Sequence, residues 1–183
     1  MILKRPVIER RILSALNANP SRIPVLVGGC GSGRTSLLLQ VADTLGKDNS
    51  HYFDIERAAS TPEGFSSSVT LESPYRTEPT NERDRPKGLG RNARSAFDRL
   101  LQFLNEARSS DGHVPVFLID ELLELRAFES FPGLRRIQRE AIESLETSPN
   151  RFVVTTRYTN RALRLLRDAG ERFEVIHVPP LSA

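Results

Sequence analysis

The residues with the clearest chemical potential form the run Gly28-Gly29-Cys30-Gly31-Ser32-Gly33-Arg34-Thr35. Its spacing is that of a phosphate-binding loop, GxxxxG[K]T, with arginine at the position where lysine is expected. An apolar stretch from Ile23 to Val27 precedes it, and Leu37, Leu38, Val41, Ala42 and Leu45 follow at helical spacing. Strand, loop and helix therefore succeed one another in the order the motif requires. In such a loop successive backbone N–H groups converge on phosphate oxygens, and the helix that follows adds the positive end of its dipole. Gly28, Gly29, Cys30, Gly31, Ser32, Gly33, Arg34, Thr35 and Ser36 are thus the expected nucleotide-binding residues, with the Thr35 hydroxyl on a Mg²⁺ ion that bridges the β- and γ-phosphates. Cys30 fills a variable position with a small side chain, and if exposed its thiol could be alkylated in competition with ATP.

Arg34 bears on turnover. Lysine is a compact point charge on a flexible stem, whereas arginine carries a bulkier planar fork that is always charged. A fork seated on the ground-state phosphates stabilises substrate as well as transition state, so the expectation is retained nucleotide binding with slow or absent hydrolysis.

The second chemical element is Val116-Phe117-Leu118-Ile119-Asp120-Glu121. An apolar strand ending in two acids places both carboxylates at the carboxyl edge of a sheet, where open α/β folds bind their ligands. Asp120 could hold Mg²⁺ through water, and Glu121 could orient and polarise an attacking water. The alternative for the same residues is a solvated acid pair opening a helix, where negative charge is favoured. Coupling to a phosphate loop favours the catalytic reading.

The elements that must position these groups alternate along the chain. A helix is expected from about Ile8 to Ala18, stopped by Asn19-Pro20, then the first strand and the loop, then a helix ended by Gly46. His51 to Ile55 reads as a second strand. A long polar region from about Arg57 to Arg94 has little periodicity and reads as an insertion or mobile loop that could include a short helical piece. Helical spacing restarts at Phe97, Leu100, Leu101 and Leu104, and Val114 to Ile119 forms the third strand. A helix from about Gly133 to Glu146, a strand from Phe152 to Thr155, a helix from Arg161 to Ala169 and a strand from Phe173 to Val178 complete the pattern. Such alternation favours a parallel sheet wrapped by helices in one α/β domain spanning residues 1–183.

With 183 residues and 38% hydrophobic content, one substantial core is expected. A single cysteine excludes an internal disulfide, and no run approaches the length of a membrane span or a signal peptide, so a cytoplasmic location is expected. His51, His113 and His177 lie in or beside expected strands and read as packing or edge residues, without a metal-ligand cluster or a Ser-His-Asp arrangement. The net charge of +3 is mild.

The phosphate loop, the acid pair Asp120-Glu121, the fourth strand ending in Thr155-Thr156 and the segment Glu171-Arg172-Phe173 before the last strand together resemble the core of an AAA+ ATPase. More closely, they resemble the branch of replication initiators, transposition ATPases and signal-transduction NTPases. The resemblance covers nearly all of the chain outside the polar region. It implies a three-layer P-loop NTPase sandwich with a five-stranded parallel sheet, ATP and Mg²⁺ as cofactors, and assembly as a homo-oligomer or with AAA+ partner subunits. It also implies that Thr155 or Thr156 takes the sensor position near the γ-phosphate and that Arg172 matches the arginine finger that enters a neighbouring site. Arg135, Arg136, Arg157 and Arg161 compete for that last role. Relatives continue into a helical lid, which is expected to be absent from a chain ending at Pro179-Pro180-Leu181-Ser182-Ala183.

DNA is a further candidate partner through Arg76, Arg83, Arg85, Lys87, Arg91 and Arg94, with Tyr75 as the one stacking ring, and such binding would fall steeply with salt. Interleaved Glu78, Glu82 and Asp84 favour a solvated segment of mixed charge instead. Three functional classes follow: an oligomeric ATPase of low activity that loads or remodels DNA or protein, a switch or scaffold that binds ATP and hardly hydrolyses it, and a small P-loop kinase. Glu121 counts against the kinase, because an activated water would compete with an acceptor.

Overall fold

The structure is a computed structural model and describes residues 5–58, 61–75 and 93–180. Five short runs form one sheet: β1 (Ile23–Val27), β2 (Ser50–Asp54), β3 (Val116–Asp120), β4 (Arg151–Thr156) and β5 (Phe173–His177), in the order β2-β3-β4-β1-β5. Every neighbouring pair is parallel. Parallel strands need crossovers that cover both faces, which is why β1 and β3 are buried at every residue.

Alternation along the strands divides the core into two layers. On one face α1 (Pro6–Leu16) and α2 (Arg34–Leu45) set Ile12, Leu16, Leu37, Leu38 and Val41 against Leu26, Leu118, Val153 and Ile176. A one-turn helix, α3 (Ile55–Ala58), follows β2 directly. On the other face lie α4 (Pro62–Leu71), α5 (Ala93–Glu106), α6 (Ile137–Thr147) and α7 (Thr159–Leu166). They pack Phe65, Phe97, Leu100, Leu145 and Ala162 against Val25, Phe117, Ile119, Phe152 and Val154. The result is the expected three-layer α/β sandwich around a five-stranded parallel sheet.

Two stretches differ from the reading of the sequence. Between Arg57 and Arg94, the expected insertion contains α4, a helix that packs Phe65 and Val69 into the core. The Thr61 Oγ1 caps it by accepting from the Gly64 N–H at 3.1 Å, and Pro62 opens it. Phe65 is buried with its ring 6.1 Å from that of Phe53 and 6.0 Å from that of Phe128. Few apolar residues serve this helix, so its periodicity is faint. Tyr75 is also buried, edge-on to Phe117, and its hydroxyl accepts from the Val116 N–H at 3.0 Å, so it is a core residue and not a stacking platform. Burial pushes its phenol up to about 12.

After the acid pair, the chain forms a 3-10 helix (Leu122–Phe128), which buries Leu122, Leu123, Leu125 and Phe128. The helix expected from Gly133 begins only at Ile137; before it, successive turns carry the fully buried Leu134 into the core. Of the basic residues considered for DNA, Arg76, Arg83, Arg85, Lys87 and Arg91 lie outside the described residues. Arg94 is engaged within the chain, 2.7 Å from Asp98 and 2.6 Å from Glu140, and it ties α5 to α6.

Candidate functional site

Because β4 lies between β1 and β3, three strand ends bring the loop after Val27, the pair Thr155-Thr156 and the pair Asp120-Glu121 to one edge of the sheet. It is the carboxyl edge, where parallel sheets open toward ligands. The loop turns back on itself through the Ser32 N–H donating to the Gly29 carbonyl at 3.2 Å. It feeds α2 through Gly33, whose φ of 80° is a left-handed conformation that a side chain would strain. Gly28 is required by close approach: a Cβ there would stand 2.6 Å from the carbonyl oxygen of Val178.

Arg34, the first residue of α2, turns its side chain back into this loop. Its Nη1 donates to the carbonyls of Gly28 and Gly29, the latter at 2.6 Å, and to the Ser32 Oγ at 3.1 Å. Its Nη2 donates to the Glu121 Oε1 at 2.6 Å. Each side chain of this ion pair is only 8% exposed, so the pairing is shielded from solvent. The Arg34 Nε is buried and has no hydrogen-bond partner among the described residues.

Asp120 is fully buried and accepts from the Thr155 Oγ1 and, at 3.2 Å, from the Tyr52 hydroxyl. The Thr155 Oγ1 also accepts from the Glu121 main-chain N–H at 3.0 Å, so one hydroxyl joins the Asp120 carboxylate to the backbone of Glu121. Thr156 plays a different part, since its Oγ1 accepts from the Tyr158 N–H at 3.1 Å and holds the turn after β4. Asp54 pairs in register with Asp120 on the neighbouring strand. Burial raises the Asp54 carboxyl above its ordinary value, with the negative charge of Asp120 adding to the shift. Burial, and then the same carboxylate, also raises the Tyr52 phenol. Tyr52 and Asp54 were legible in the sequence only as alternate residues of a short strand.

Glu121 is the one non-glycine residue with positive φ among the described residues, at 52°. Such a conformation is uncommon outside glycine and tends to occur at functional positions. Its Oε2 accepts from the Arg157 N–H at 3.0 Å, so its two carboxylate oxygens are held from opposite sides. Arg157 in turn donates to Glu124 at 2.5 Å and lies 2.7 Å from Glu56, and hydrogen bonds to these two acids raise its affinity for the proton. Burial pushes the Glu124 carboxyl up, but hydrogen bonds from Tyr158 and Arg157 outweigh it and hold the group below its ordinary value. This network was missed in the sequence because its members come from four separate segments.

Arg172 lies at the opposite, amino edge of the sheet, immediately before β5. Its guanidinium donates to the carbonyls of Ser21, Leu145, Glu146, Ser148 and Asn150 at 2.5–3.1 Å. It is a strut joining the end of α6 to the starts of β1, β4 and β5, which corrects the expectation of a group held out toward a neighbouring subunit. Of its competitors, Arg161 donates to the Gln138 Oε1 at 2.6 Å, and Arg135 and Arg136 are exposed. Cys30 is exposed in the loop. His51 is buried, with Nε2 2.9 Å from the Val69 carbonyl, as expected of a packing residue.

The site suits a nucleotide on several counts. The Gly29 and Gly31 positions open onto free space, α2 begins at the loop, and a buried guanidinium N–H awaits an acceptor. Loop N–H groups and Arg34 would hold the phosphates, while Thr35 and Asp120 would hold Mg²⁺. Among the described residues no group of three or more His, Cys, Asp or Glu could hold a metal by itself. Mg²⁺ sites built from one carboxylate, a hydroxyl, waters and phosphate oxygens need no such group.

The phosphate loop, the acid-tipped strand one strand removed from it and the helices on both faces give the chain an AAA+/P-loop ATPase-like fold. Two solved structures superpose on the chain. The Aeropyrum pernix Orc1 protein in complex with DNA matches with a TM-score of 0.56 and 20% identity, over 100% of this chain and 47% of that one. A Walker-type ATPase of Pyrococcus abyssi matches with a TM-score of 0.62 and 16% identity, over 99% and 55%. The chain thus spans about half the length of these proteins, and the likeness is one of fold. No protein-family model and no curated protein sequence matches it. No helix among the described residues is long and apolar enough to cross a membrane.

Proposed function

We propose that this chain is an ATP-binding AAA+-like module, an ATPase of low turnover that works within an oligomer to remodel or load DNA or protein. The observation that supports the reading is the placement of Arg34 in the phosphate loop with its fork on Glu121, the acid that would orient a water. ATP would sit with its phosphates on the loop and α2, and Mg²⁺ between Thr35 and Asp120. Of the two sensor candidates, Thr155 is favoured over Thr156 by its hydroxyl bonds to the Asp120 carboxylate and the Glu121 main-chain N–H. Oligomeric action and DNA as substrate are supported by the sequence resemblance and by the initiator solved in complex with DNA.

A second reading, an ATP-dependent switch that hardly hydrolyses, is favoured by the same ion pair, because a carboxylate neutralised by Arg34 is a poor base. Nucleotide binding and phosphate release with Mg²⁺, measured on the wild type, Arg34→Lys and Glu121→Gln at two protein concentrations, separates the two. The ATPase reading expects release that rises with concentration, rises about tenfold or more in Arg34→Lys and is lost in Glu121→Gln. Binding without release in the wild type and Arg34→Lys would establish the switch, and no binding in any variant would sink both.

A further inference from the structure

The most unusual arrangement in the molecule is the buried bridge from the phosphate loop to Glu121. Arg34 bonds the first two residues of the loop, Gly28 and Gly29, and Ser32 further into it, so its fork spans the loop from one side to the other. The remaining nitrogen reaches Glu121 at 2.6 Å. A phosphate group drawn to the loop N–H groups would compete for the guanidinium N–H groups that Arg34 now gives to the loop carbonyls, Ser32 and Glu121. Glu121, meanwhile, is fixed in a left-handed backbone conformation with its second carboxylate oxygen on the Arg157 N–H. The Arg157 side chain ties that point to Glu124 and Glu56.

We propose that the Arg34–Glu121 pair is a latch across the phosphate loop: phosphate entry must draw the Arg34 fork away from Glu121, so nucleotide binding releases the acid. The proposal rests on the site taking a nucleotide. Buried ion pairs are sensitive to the loss of one member, since the remaining charge is left uncompensated in a shielded environment. Removing the charge of Glu121 therefore leaves Arg34 with a weaker acceptor and makes it readier to accept phosphate. With the latch closed Glu121 is neutralised, and with the latch open it is presented to the nucleotide. The Arg157 network then feels the change, because Glu121 sits between Arg34 and Arg157.

The test measures equilibrium affinity for a non-hydrolysable ATP analogue without Mg²⁺, so that neither turnover nor a metal contact contributes. It compares the wild type, Glu121→Gln, Arg34→Ala and the double variant, with thermal unfolding of each protein without nucleotide. The latch expects Glu121→Gln to tighten binding by roughly tenfold, the scale of one charge-assisted hydrogen bond. That gain should vanish in the Arg34→Ala background, and the two substitutions should be non-additive in unfolding without nucleotide. Equal affinity of wild type and Glu121→Gln overturns the proposal. A gain that persists without Arg34 also overturns it, because it would reflect simple repulsion between Glu121 and phosphate. Binding in no variant, with non-additive unfolding intact, refutes the nucleotide reading and leaves the pair structural, which overturns the latch as well.

Discussion

Arginine at position 34 does more than carry the charge that lysine would have carried. A lysine is a single point of three donors, whereas the guanidinium plane reaches two loop carbonyls, a hydroxyl and a carboxylate at once. Its presence was plain from the sequence, but its partner was not, since Glu121 lies 87 positions away. A separate residue-scale consequence concerns His51, whose burial lowers its proton affinity from an ordinary value of 6.5. Below about pH 6.5 the unfolded chain takes up a proton that the folded chain resists, so the stabilisation present above that pH is lost as pH falls. Denaturant unfolding at about pH 7.5 and about pH 5 should show the wild type losing more stability than His51→Gln on acidification. An equal loss in both proteins would show that other groups govern the acid limb.

At the scale of elements, the junction between α6, β4 and β5 depends on Arg172. With five main-chain carbonyls on one half-buried guanidinium, Arg172→Ala leaves the carbonyls at the end of α6 without their donor. Burial already lowers the proton affinity of this arginine, a sign of how far it is withdrawn from water. The expected outcome is a loss of about 2–4 kcal/mol in unfolding free energy without nucleotide. A variant with unchanged unfolding but lost phosphate release would restore the finger role. Helix α4 teaches a complementary lesson. Thr61 caps it and Pro62 opens it, but Phe65 and Val69 became core residues only because α5 and the sheet face meet them. Composition averaged over a polar segment hides a helix that buries few side chains.

For the whole molecule, the strand order matters most, because β4 between β1 and β3 makes one site from three distant stretches of chain. With Arg172 committed to the amino edge, a group that a neighbouring subunit contributes to the site would have to be another residue. Under the proposed ATPase reading, phosphate release per chain should therefore increase with protein concentration; a flat dependence from dilute to concentrated solution would mean that one chain suffices. The strands, the loop and the acid pair were readable from the order of residues, because apolar runs, helical periodicity and the spacing of glycines are local properties that backbone geometry enforces within a few residues. What those groups hold emerged only once the chain was folded: Arg34 on Glu121, Thr155 on Asp120, Tyr75 in the core and Arg172 on five carbonyls. A charged or polar side chain taken from water must find a partner, and which partner is within reach depends on how the strands are ordered across the sheet.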